Sequence, residues 1–79
     1  MNKIRRLELG KLYDELNDIR AQIEEVMDQE QEYADNMPDN LQDSEKHEKA
    51  EEVVGKLVEA MDYIQSALDE IESAKENPY

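Results

Sequence analysis

Cysteine is missing from all 79 positions, which excludes disulfides and thiolate metal sites as sources of stability and leaves the cytoplasm as the default expectation. Phenylalanine and tryptophan are missing too, and charged residues make up 39% of the chain, a composition that by itself points toward disorder. No apolar run approaches the ~20 residues of a membrane span. Met1 to Gly10 lacks the apolar core of a signal peptide, so a soluble, unprocessed chain is expected. So short a chain struggles to bury enough apolar surface alone, and self-association or a partner is expected.

The placement of the apolar residues argues against disorder. Leu9, Leu12, Leu16, Ile19, Ile23 and Val26, then Tyr33 and Met37 after a polar Glu30, alternate steps of three and four, which is one stripe on a helix. Ile4 and Leu7 sit outside this register, and Gly10 carries a helix cost of about 1 kcal/mol relative to Ala, so the first two turns are expected to fray or bend. A second stripe runs through Ala50, Val54, Leu57, Met61, Ile64, Leu68 and Ile71. Beside it Val53, Ala60, Ala67 and Ala74 recur every seven residues, widening the apolar face to the three positions per heptad of a bundle helix. Pro78 ends this pattern.

Between the stripes, Asp35 to Ser44 is the only stretch that breaks both. Pro38 disfavours helical geometry at Met37 and the Asn and Asp residues turn or cap the backbone, so the first helix should end near Asp35. Asn36 or Met37 is placed to start a short extra turn with Pro38 at a first helical position. Leu41 is expected to plug the hairpin end. Asp43 or Ser44 caps the second helix, with Glu45 favoured in its first turn by the helix dipole. The expected fold is all-α: an antiparallel, coiled-coil-like hairpin with helices over about residues 3–35 and 44–75 and a hinge over about 36–43, assembling into a homodimer or larger helical bundle. Tyr13, Met27, Val58 and Tyr63, off the main seams, are candidates for covering the open side of the core or for a dimer contact.

The net charge of −13 is distributed unevenly. Residues 1–13 carry four basic residues against Glu8, and the C-terminal turns beside them are acidic, so that end is nearly neutral. From Glu24 to Glu52 twelve acids face only Lys46 and Lys49, a net of −10. Such a field disfavours direct nucleic-acid binding, which relies on Lys and Arg to neutralise phosphates, and favours a basic protein partner. The candidate partner-binding residues are Glu24, Glu25, Asp28, Glu32, Asp35, Asp39, Asp43 and Glu45. The competing account is a solvated face that keeps a small helical protein in solution.

Catalytic and metal chemistry find little here. The acids around the hinge lack the glycine and ligand spacing of an EF-hand loop. His47 reads as an exposed first-turn histidine, and no Cys, Ser or Glu-x-x-His arrangement surrounds it. Two narrow helices offer no shaped pocket for paired carboxylates. Neither an enzyme nor a cofactor is expected. Glu30, on the seam, reads as a polar interruption that sets register, within reach of Lys46 or Lys49.

The run from Glu30 through Tyr33, Met37-Pro38-Asp39-Asn40-Leu41 and Ser44 to Glu45 resembles the central motif of small acidic helical-hairpin proteins encoded by phages and prophages of Gram-positive bacteria. The likeness covers about residues 15–75 and is concentrated at the hinge. It supplies no catalytic residues. It implies a phage setting, and with it a small inhibitor of a host or defence protein in the host cytoplasm; the carboxylates spaced along the rod add the expectation that such an inhibitor imitates DNA phosphates in a basic groove. The alternative is an assembly module that self-associates through its apolar faces.

Overall fold

A computed structural model describes residues 1–38, 40 and 44–77. Among these the chain forms two long helices, α1 (Lys3–Asp35) and α2 (Glu45–Glu76), packed antiparallel into a hairpin of about 60 × 15 × 11 Å. The pairing is fixed at both ends. The Arg6 guanidinium donates to the carbonyl of Asn77 (2.9 Å) and the Lys75 ammonium stands 5.8 Å from the centre of the Tyr13 ring. At the hinge end, the Lys46 ammonium lies 5.6 Å from the centre of the Tyr33 ring.

Each helix starts where a short polar side chain replaces a missing intrahelical partner. Asn2 accepts from the amide of Arg5 (2.8 Å), and Ser44 accepts from the amide of His47 (3.2 Å). α1 ends at Asp35 and is capped by Asn36, whose amide donates to the carbonyl of Glu32 (3.0 Å), one residue before the position that Pro38 keeps out of helical geometry. The helix runs through Gly10 without a break. Leu9 and Tyr13 are partly covered, and their packing offsets the roughly 1 kcal/mol that a glycine costs a helix. The expectations for Leu41 and Asp43 lie outside the described residues.

On α2 the covered residues are those the seven-residue pattern selects. Ala50, Met61 and Leu68 are buried, and Val54, Leu57, Ile64 and Ile71 are partly covered. On α1 the pattern holds but the seam is turned by one row. Leu9, Leu16, Ile23, Glu30 and Met37 lie inward as expected, yet the row that shares the interface is Arg6, Tyr13, Arg20, Met27 and Ala34. Leu12, Ile19, Val26 and Tyr33, expected inside, keep 50, 49, 55 and 46% of their surface exposed. The reason is geometric. At about 100° per residue these three rows span more of the helix than one neighbour can cover, and α2 covers the central row and only one flank. Tyr13 and Met27 therefore belong to the intramolecular core, while Val58 and Tyr63 stay exposed.

The inward residues of α1 keep the alternation of three and four from Arg6 to Met37, the 3.5-residue period of a left-handed supercoil rather than the 3.6 of a straight helix. The core that results is thin. Leu68, at 1% exposure, is the one large side chain fully shielded among the described residues, and burial of such a side chain contributes about 1.5–3 kcal/mol. Arg20 lies within the seam with its Nε shielded from solvent and without a hydrogen bond among the described residues. Its stem packs while its donor goes unsatisfied, which costs about 1–3 kcal/mol.

Two substitutions along this seam should therefore act in opposite directions. Leu68→Ala is expected to lower unfolding free energy by about 3 kcal/mol, and Arg20→Met to raise it by about 1 kcal/mol; urea denaturation followed by circular dichroism measures both.

Candidate functional site

The hinge end is where charge, turn and an open groove coincide. Ala34, Met37 and Ala50 form a small buried cluster there, and the two alanines let α1 and α2 approach closely before the chain turns. Tyr33 and Lys46 close one side of it. The Tyr33 side chain raises the proton affinity of the Lys46 ammonium, through hydrogen bonding first and charge second, with burial a minor opposing effect. An ammonium above a tyrosine ring is also attracted by the ring's negative face. Neither helix could place this pair alone; it forms because the turn brings residues on either side of Asn40 to one level. An open groove of about 450 Å³ is lined by Gln29, Glu32, Tyr33, Asn36, Met37, Pro38 and Lys46.

The acids sit around this end with their side chains in solvent. Glu24, Glu25, Asp28, Glu32, Asp35 and Glu45 are all exposed, whereas Asp39 and Asp43 lie outside the described residues. Glu25, Asp28, Glu32 and Asp35 step by three and four along the outer side of α1, facing away from α2. Local contacts order part of the array: Gln31 donates to Asp35 (2.9 Å), and Lys49 pairs with Glu45 (3.0 Å). The second pair is largely exposed and worth only a few tenths of a kcal/mol.

The helix dipoles divide this end into two kinds of acid. Glu45 and Glu48 occupy the first turn of α2, where a negative charge stabilises the helix. Glu32 and Asp35 occupy the last turn of α1, which contains no basic residue, and there the dipole opposes them. The N-terminus of α1 is reversed as well, with no acid in its first turn but with Lys3, Arg5 and Arg6. α1 is thus charged against its own dipole at both ends.

Two expectations about single residues change. Glu30 is partly covered on the seam, but neither lysine reaches it: Lys49 turns to Glu45 and Lys46 to Tyr33. His47 is not an exposed surface residue. Its side chain keeps 17% exposure and its Nε2 lies 3.5 Å from Glu51, because position 47 falls on the covered flank of α2, one heptad before Val54. The sequence held a signal for the Tyr33–Lys46 pair, since the two positions are nearly equidistant from Asn40. For the covering of Arg20 it held none, as three adjacent rows were all available to face α2.

Among the described residues no group of three or more His, Cys, Asp or Glu side chains is arranged to hold a metal ion, and no helix is long and apolar enough to cross a membrane. No protein-family model, curated protein or solved structure matches the chain.

Two measurements follow from the charge layout. Raising salt from ~0.01 to ~0.5 M screens the repulsion within the hinge half and should raise Tm by roughly 4–8 °C, equivalent to about 1 kcal/mol. Ser44→Ala removes the cap of α2 and should cost about 1 kcal/mol, read from the same thermal melts at fixed salt.

Proposed function

We propose that this protein is a non-enzymatic interaction protein whose acidic hinge half binds a basic surface on another protein. The observation that carries this reading is the run of Glu25, Asp28, Glu32 and Asp35, exposed on the outer side of α1 and continued into a helix C-terminus without a balancing cation. Carboxylates placed for solubility alone gain nothing from the last turn, where the dipole disfavours Glu32 and Asp35 by about 0.3–1 kcal/mol each. A partner's Lys and Arg residues supply the missing positive charge, and the field of the whole half steers them in.

The form of the array supports a more specific partner. At a rise of 1.5 Å per residue the four carboxylates recur every ~5 Å along the rod, the same order as the 3.4 Å axial spacing of phosphates on one DNA strand. A groove built to hold a nucleic-acid backbone is a basic surface of matching shape. The chain then acts as a DNA mimic, as an inhibitor from a phage would against a host or defence protein.

The test uses the chain immobilised and exposed to host-cell extract at low and high salt, beside a variant with Glu24, Glu25, Asp28 and Glu32 changed to Lys. A basic protein retained by the wild type should lose at least about tenfold in affinity on charge reversal, and comparably in ~0.5 M salt. Duplex DNA should compete with the chain for it. Retention that survives both charge reversal and high salt would sink the acidic-surface reading.

A further inference from the structure

The side of the hairpin away from the acids is left apolar, and two independent rows make it so. On α1 it is Leu12, Ile19, Val26 and Tyr33, each about half exposed. On α2 it is the row of Val53, Ala60, Ala67 and Ala74, of which Val53, Ala67 and Ala74 are exposed and Ala60 is partly covered. Both rows follow their seam by three residues. Rows displaced in the same sense on two antiparallel right-handed helices turn to the same side of the pair, so the two rows flank one continuous face.

We propose that this face is covered by a second copy of the chain, which lies on it about a two-fold axis near Ile19 with the two hinges at opposite ends, forming an antiparallel four-helix bundle. Size is the first argument. One broad side of a 60 × 15 Å rod offers roughly 900 Å², matching the ~800 Å² per partner of a stable interface. Shape is the second. In this arrangement α1 lies along α1 of the other copy, where Leu12 meets Val26 and Ile19 meets its own mate. α2 lies along α2, where Ala60 and Ala67 permit close approach. An apolar stripe three rows wide is what a helix with two neighbours requires.

Charge chooses the orientation. Stacking the copies with both hinges at one end would set a net −10 against its equal. Turning one copy end for end separates these poles. It also brings Lys56 and Glu70, seven residues to either side of Tyr63 on the rim of the face, opposite each other across the two copies. Lys56 meanwhile makes only a long, exposed pair with Glu59 (3.9 Å), which is readily exchanged. The outer acids of α1 face away from this interface, so self-association and partner binding use different sides.

Sedimentation of the full chain should show a species of twice 9.3 kDa. Ile19→Asp with Val26→Asp should raise the dimer dissociation constant at least about thirtyfold. Val58→Asp, equally exposed but on the opposite side, should leave it within about threefold. For orientation, the cysteine-free chain accepts a single spin label through Asp35→Cys. Its distance between copies should be about 50 Å, from the 1.5 Å rise over the residues separating position 35 from the axis, against about 20 Å were the hinges together. A monomer at high concentration, a dimer indifferent to the double variant or broken by Val58→Asp, or a short label distance would each overturn the proposal. The label distance, read without changing the apolar face, keeps the test valid if the double variant unfolds. Loss of the acidic partner on charge reversal leaves these readings unmoved, so the two proposals fail separately.

Discussion

A helix touched by one neighbour can hide about two rows of side chains, and α1 offers three adjacent rows, two of them apolar and one mixing Tyr13, Met27 and Ala34 with Arg6 and Arg20. Most of the architecture follows from that mismatch. α2 covers the central row and the flank that carries Tyr13, Arg20 and Met27, and the more uniformly apolar flank is left over. The cost appears inside as the unsatisfied Nε of Arg20 and outside as four half-exposed large side chains. A monomeric hairpin optimised for itself would reverse the two flanks. Facing the polar-containing flank inward makes physical sense where the other flank has its own use.

The electrostatics repeat the same division. The apolar face and the carboxylate array lie on different sides of the rod, and the array gathers at one end of it. α2 is charged with its dipole at its start, having Glu45 and Glu48 in the first turn, while Lys75 and Glu76 balance in the last; α1 is charged against its own. Helix stability alone accounts for the first pattern and not for the second. The penalty is small enough for interhelical packing to carry, and it leaves carboxylates near the tip without internal cations to neutralise them.

Much of this was readable from residue spacing, because a 3.5-residue period, a proline and a run of Asn and Asp each act locally. The two helices, the antiparallel return and the Ser44 cap depend on nothing farther than a few residues away. The α2 seam was readable as well, since Leu57, Met61, Ile64 and Leu68 outweigh the small row beside them. On α1 spacing could not choose the flank: Leu12, Ile19 and Val26 look like core by hydropathy, and only the position of α2 decides otherwise. Glu30 sits on the seam as its spacing indicates, but the lysine expected beside it and the exposure expected of His47 both failed for a related cause. Their surroundings are set by side chains on the other arm or by the exact flank covered, and helix periodicity carries neither. The exposed carboxylates were legible as surface residues, while what meets them is not a property of one chain.

The hairpin also orders its own contacts by the length of chain each must close. Tyr33 and Lys46 are separated by a short loop, whereas the bond from Arg6 to Asn77 spans 71 residues. Loop entropy therefore favours closure beginning at the hinge and zipping toward the termini. The first contacts to form are thus the ones nearest the densest like charge, so the energetic barrier to folding lies where repulsion is greatest. Ions that gather at this pole act on the speed with which the hairpin closes as well as on its final stability.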